Sequence, residues 1–229
     1  MNKKKKSNSQ SQQPLSPESY IRQRGKTLPV YKCYVTSNWK EVKLCNVFVT
    51  RKHVTGNVTF CGYLVDLSCL GVKDTVYKFN VPLEEFEDIM EKYKTQIDFI
   101  EISYELAHNI IYAGLEYAED LGFQPHKDFL SITSYFLEED TDDIPIIEIE
   151  CGFMDGKPMY ANTGFDSNQK TKKIMEQLEK SRGSGNFDYI IGHDLGKEDD
   201  DYNDYDDFDD DDFEDENYDF EDEDDEENN

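Results

Sequence analysis

The sequence predicts an α+β fold, in which a mixed or antiparallel sheet and three to four helices form a single domain over residues 18–195. Three observations lead to this prediction. Residues 30–79 contain runs of β-branched and aromatic residues separated by turn residues. Residues 82–137 change to an apolar repeat of three and four, which is typical of helices. Strand-type runs return after residue 144, so strands and helices are grouped rather than alternating as in a parallel α/β fold.

Four strands are predicted in the first part of this domain, over residues 30–35, 42–50, 58–67 and 75–79. The second and third are expected to form a hairpin, because Gly56 supplies the positive φ that tight turns require. Gly62 interrupts the alternation between Phe60 and Tyr63, and this interruption predicts a β-bulge.

Three helices follow, over residues 82–95, 103–121 and 125–137. Pro82 suits a first helical turn, and Gly122 is expected to end the second helix.

The last part of the domain returns to strands, at residues 144–151 and 159–161, with a hairpin at Asp155-Gly156 between them. A helix from Asp166 or Ser167 to Arg182 and a strand over residues 187–191 complete the predicted domain.

Both ends of the chain have compositions that oppose folding. Residues 1–17 are Lys-, Gln- and Ser-rich, and they are expected to form a disordered basic and polar arm. Residues 196–229 are expected to form a disordered acidic tail. Residues 198–229 contain 22 of the 51 acidic residues and no Lys or Arg, so they carry most of the net charge of −27.

Composition also predicts where the protein resides. No apolar run approaches the ~20 residues that span a bilayer, and the first residues lack the apolar stretch of a signal peptide. A cytoplasmic protein without membrane contact is therefore expected. Five cysteines at loose spacing do not suggest a disulfide framework. No motif points to a cofactor.

Three strings carry a resemblance to a known family. They are GYLVDLSCLGVKDT at residues 62–75, YAEDLGFQPHKDF at residues 117–129 and ECGFMDGKPMY at residues 150–160. The chain resembles an uncharacterised bacterial protein family over residues 16–165. That resemblance implies a small cytosolic α+β protein, and it implies no activity, cofactor or catalytic residue.

Two of these strings contain residue types that carry chemistry. Cys69, His126 and Asp128 could act as nucleophile, base and orienting carboxylate in a small hydrolase. Asp66, Asp74, His126 and Asp128 could bind a divalent ion in a nuclease-like site, although their spacing matches no ligand motif. The alternative is that Cys69 is a core residue and that the polar groups cap turns and helices.

A further function that the sequence allows, besides the hydrolase or nuclease-like one, is that of an RNA- or ribosome-associated factor. Lys3, Lys4, Lys5, Lys6, Arg22, Arg24 and Lys26 could neutralise phosphates, and Arg51, Lys52 and His53 add charge at a predicted hairpin turn. The strongly acidic chain opposes this function, because it repels nucleic acid at long range.

The leading prediction is a non-enzymatic interaction or regulatory module. Six aromatic residues are interspersed among the acids of residues 198–229: Tyr202, Tyr205, Phe208, Phe213, Tyr218 and Phe220. Acidic and aromatic residues in alternation suit a tail that binds the basic surface of a partner protein.

Overall fold

The computed structural model describes residues 15–141, 143–164 and 166–192. The strands are β1 (Val30–Thr36), β2 (Leu44–Lys52), β3 (Val58–Asp66), β4 (Gly71–Val81), β5 (Phe99–Ile102), β6 (Met159–Asn162) and β7 (Asp188–Ile191). The α-helices are α1 (Pro17–Arg24), α2 (Trp39–Val42), α3 (Leu83–Lys94), α4 (Tyr104–Asp120), α5 (Lys127–Ser131) and α6 (Asn168–Arg182).

The larger sheet is antiparallel throughout and has the strand order β4-β3-β2-β1-β5. The predicted α+β class is therefore confirmed. The predicted hairpin between β2 and β3 is also present, and Gly56 has a φ of 93° in its turn. β5 was not predicted. It pairs with β1 after helix α3 has carried the chain from one edge of the sheet to the other.

Helices cover both faces of this sheet. Alternate residues of β1, β2 and β3 pack with Ala107, Ile110 and Ile111 of α4 in the main core. The opposite face packs Phe48 and Phe60 against Phe86 and Met90 of α3. The resulting arrangement has three layers, with the sheet in the middle.

Helix α4 lies unusually close to the start of β4. Ser103 caps its first turn by accepting a hydrogen bond from the Leu106 N–H. Further along the helix, Gly114 faces Gly71, which has a φ of 66°. A Cβ at Gly71 would lie 2.8 Å from the Cβ of Ala118 and 2.9 Å from the carbonyl oxygen of Gly114. Only glycine allows this approach.

The last elements form a separate small layer. β6 and β7 pair in parallel as a two-stranded sheet. Ile174 and Leu178 of α6 pack with Tyr160 of β6 and with Leu121 near the end of α4. The predicted capped helix is confirmed, with Ser167 as the N-cap.

The predicted strand at residues 144–151 is wrong. This segment has no regular secondary structure; it lies along α4 and joins neither sheet. The Asn109 side chain donates to the Pro145 carbonyl at 3.1 Å and accepts from the Ile147 N–H at 2.9 Å. The Cys151 thiol donates to the Ala113 carbonyl. Helix side chains and carbonyls thus bond a segment whose alternating pattern resembles a strand.

Two smaller predictions are corrected. Gly62 pairs regularly with Phe48 and Val76, and the register shifts lie on either side of it. A Cβ there would lie 2.6 Å from the Phe48 ring, so Gly62 makes room for that ring rather than for a bulge. The predicted third helix divides into α5 and a 3₁₀ turn (Thr133–Phe136).

The structure corrects the predicted start of the domain, and the predicted end lies beyond the described residues. Pro17, placed in the disordered arm, is the first residue of α1, with Ser16 as its N-cap. Residues 1–14 and 193–229 lie outside the described residues, as do the disorder predictions for them. None of the helices described here is both long and apolar enough to cross a membrane.

Candidate functional site

Asp66, a residue of the predicted metal site, shapes the turn after β3. One carboxylate oxygen accepts hydrogen bonds from the Ser68 N–H at 2.9 Å, the Ser68 hydroxyl at 2.6 Å and the Cys69 N–H at 3.1 Å. Burial raises the pKa of Asp66, and the bonds from Ser68 oppose that rise. These contacts are those of a turn-capping side chain.

Cys69, the predicted nucleophile, is fully buried. It packs with Leu70, Leu121, Tyr160 and Leu178 in the core beneath α6. Burial raises the pKa of its thiol far above the ordinary value of 9.0. Because the thiolate is the nucleophilic form, this environment favours an inert, protonated thiol.

His126, Asp128 and Asp74 make local contacts. His126 is the N-cap of α5, where its Nδ1 accepts a hydrogen bond from the Asp128 N–H at 3.3 Å. The exposed Asp74 accepts one from the Thr75 N–H at 2.7 Å. Across the described parts of the chain, no hydrogen bond joins Cys69 to His126 or Asp128. No three His, Cys, Asp or Glu side chains there are grouped to hold a metal. The catalytic and metal assignments stay predictions.

The three strings that carry the family resemblance meet around residues 67–72. The His126 N–H donates to the Val72 carbonyl at 2.9 Å. The Gly152 N–H donates to the Leu67 carbonyl at 2.8 Å, and the Met159 N–H donates to the Ser68 carbonyl at 3.0 Å. Main-chain bonds from the two other strings thus hold this loop, and these contacts are structural.

A buried polar cluster escaped the sequence prediction. Arg51 is 2% exposed and forms an ion pair with Glu138 at 2.7 Å. Its guanidinium also donates to the carbonyls of Lys26, Leu28 and Phe136. The guanidinium is buried and its hydrogen bonds go to oxygens of this chain, so Arg51 is not available to phosphates. The prediction that Arg51 adds charge at a hairpin turn was wrong, because Arg51 lies in β2 and its side chain is buried.

Helix α4 completes this cluster from the other side. Tyr104 donates to the Glu138 carboxylate, and Tyr112 donates to the Glu138 carbonyl at 3.1 Å. Burial alone would raise the pKa of Glu138, but the bonds from Tyr104 and Arg51 outweigh it and lower the pKa. His108 is fully buried and stacks on Tyr112. The cluster fixes residues 136–140 to α4, which is a structural task.

The remaining basic residues of the predicted nucleic-acid surface are dispersed. Lys26 forms an exposed ion pair with Glu139 at 3.2 Å. The Lys52 ammonium lies over the Tyr31 ring, 4.8 Å from its centre. Arg22 and Arg24 are exposed on α1. Lys3, Lys4, Lys5 and Lys6 lie outside the described residues.

Strand β7 is highly exposed although three of its four residues are large and apolar. All four of its residues are exposed, with Tyr189 and Ile190 each at 56%. The Asp188 N–H donates to the Pro158 carbonyl, and the Gly192 N–H donates to the Asn162 carbonyl. Because backbone groups alternate between the two sides of a strand, those of Tyr189 and Ile191 point away from β6. These outward groups and the four side chains are called the β7 edge.

Comparisons with protein-family models, with curated proteins and with solved structures found no match. The site is therefore interpreted from its own geometry, and the resemblance to a bacterial family stays a prediction.

Proposed function

We propose that the protein is a non-enzymatic cytoplasmic interaction module that binds basic protein surfaces through residues 198–229. The observation that carries the proposal is the charge of that segment, which holds 22 acidic residues and no basic one. Charge of one sign at this density attracts a basic partner from a distance and accelerates its binding.

The described domain supports a binding role over a catalytic one. The predicted nucleophile is a buried thiol with a raised pKa, and the predicted ligand Asp66 caps a turn. All five cysteines are free, which supports a reducing compartment such as the cytoplasm. The hydrolase or nuclease-like function and the RNA- or ribosome-associated function stay predictions.

Binding of a fluorescent Lys-rich peptide to the full chain tests the proposal. Anisotropy measured from low to high salt should show an affinity that falls steeply, because exposed charges are screened beyond about 8 Å at physiological ionic strength. An affinity that does not change with salt would contradict the proposal.

Two matched variants of the full chain separate charge from aromatic contact. One replaces the 22 acidic residues of positions 198–229 by Asn or Gln, and the other replaces the six aromatic residues there by Ser. The first should lose most of the binding together with its salt dependence. The second should bind more weakly but keep the salt dependence. Equal binding by the first variant and the natural chain would rule the tail out.

A further inference from the structure

We infer that the β7 edge is a strand-addition site for an extended, Lys- or Arg-containing segment of a partner protein. The inference rests on the proposed function for the charge of that partner, and on the geometry of β7 for its extended conformation. Strand addition uses main-chain hydrogen bonds for affinity and alternate side chains for specificity.

The first argument is the state of the edge. Within the described residues no strand lies beyond β7, so the outward N–H and C=O groups of Tyr189 and Ile191 have no sheet partner. Proteins normally protect such edges with Lys, Pro or a bulge. The β7 sequence, DYII, has no Lys or Pro, and Asp188 is its only charge.

The second argument is the size of the sheet to which β7 belongs. Two strands alone are marginally stable in water. This sheet is held through β6, whose Tyr160 packs on α6, whereas all four side chains of β7 are exposed. Tyr189 and Ile191 project to one face and Ile190 to the other, all exposed. A partner strand with apolar side chains at alternate positions would cover one of these faces and pair with the edge.

The third argument decides between a second copy and a different protein. Two copies would bring together chains that each carry a net charge of −27, and such charge opposes self-association. The 22 acidic residues begin six positions after Gly192 in the sequence, so the part of the chain that follows β7 carries the charge that attracts a basic segment. Charge complementarity thus favours a basic partner.

The test uses a short capped peptide in which Val and Lys alternate, titrated into the full chain by calorimetry. The variant Ile191→Pro removes one outward N–H and leaves the hydrogen bonds to β6, so it should bind about tenfold more weakly. The matched control Ile191→Val keeps the N–H and should bind like the natural chain. Equal binding by Ile191→Pro would overturn the inference.

A peptide control does not depend on the folding of any variant. N-methylation of two adjacent central residues blocks both edges of the peptide and keeps every side chain and charge. The methylated peptide should bind about tenfold more weakly than its parent. Equal affinity would show that the peptide binds by charge alone and would overturn strand addition, even if Ile191→Pro failed to fold.

Two further outcomes separate this inference from the proposed function. If the chain with a neutral tail binds the peptide as tightly as the natural chain, while Ile191→Pro still weakens binding, the tail proposal and the basic character of the partner fail but the strand site stands. If the natural chain sediments as a dimer and Ile191→Pro as a monomer, a second copy occupies the edge and the inference is overturned.

Discussion

Arg51 is a buried cation whose charge is balanced inside the domain. It continues the inward positions of Cys45, Val47 and Val49 along β2. The sequence shows that alternation, although the adjacent Lys52 and His53 favoured a hairpin turn at this position. The carboxylate and the carbonyls that make burial acceptable come from residues 26, 28, 136 and 138, which only the folded chain brings together.

Replacing Arg51 by Met should destabilise the protein by about 3 kcal/mol. The change leaves the Glu138 carboxylate without its cation and several carbonyls without a donor. Urea unfolding followed by circular dichroism measures it. The matched control Lys78→Met removes an exposed cation from the same sheet and should cost less than about 0.5 kcal/mol. Equal losses for the two variants would contradict the account of the cluster.

The lowered pKa of Glu138 makes the stability of the protein depend on pH. A carboxyl whose pKa is lower in the folded state stabilises that state above its unfolded pKa, here near the ordinary 4.5, and stops doing so as pH falls. Glu138→Gln should therefore be less stable than the natural chain at neutral pH. The difference should narrow below pH 4.5. Thermal melts between pH 3 and pH 7 measure it, and a difference that widens in acid would contradict the prediction.

Gly71 lies where the start of β4 approaches α4 closely. Gly71→Ala should cost about 2–3 kcal/mol, because the added Cβ meets Ala118 and Gly114 at a positive φ. Gly56→Ala is the matched control. Its φ is also positive but no atom lies within 4 Å, so about 1 kcal/mol is expected. Chemical unfolding gives both values, and a smaller loss at Gly71 would contradict the close approach.

At the scale of elements, the sequence predicted most clearly the helices in which an apolar repeat continues over several turns. Helices α3, α4 and α6 keep an apolar repeat over three turns or more, and α4 and α6 begin with serine caps. β5 was missed, because no pattern in its sequence distinguishes it from a loop. Helix α1 could have been found from Ser16 and Pro17, which suit the N-cap and first helical positions.

Segment 144–151 shows why apolar–polar alternation does not by itself establish a strand. Its inward residues pack on the helix, and Asn109 supplies the hydrogen bonds that a neighbouring strand would give. The sequence does not identify Asn109 as the partner, because it lies 36 positions before Pro145 and 38 before Ile147.

Asn109 allows this packing to be tested. Asn109→Ala removes both bonds and should expose the Ile147 amide to rapid hydrogen exchange, at a cost of about 1–2 kcal/mol. Asn109→Asp keeps the acceptor for the Ile147 N–H and loses the donor to Pro145. Protection of Ile147 should therefore survive in the Asp variant. Loss of protection in both variants would show that the acceptor is not what holds the segment.

At the scale of the whole molecule, the sequence identifies the acidic segment and the structure identifies the β7 edge. Composition alone identified the acidic segment, because charge needs no folding to be counted. The β7 edge could not be identified as a candidate site from sequence. A strand was predicted there, but whether another strand covers it depends on the order of strands in space. Together they describe a strand whose outer edge pairs with no other strand among the described residues, followed in the sequence by a highly charged segment.

The most direct test of this account is an amide NMR titration of the full chain with the Val-Lys peptide at low salt. We expect the Tyr189 and Ile191 amides to exchange rapidly in the free protein and to become protected on binding. Signals of residues 198–229 should shift in the same titration, and high salt should reverse both effects. Protection of Tyr189 and Ile191 in the free protein, or no change at saturating peptide, would contradict the account.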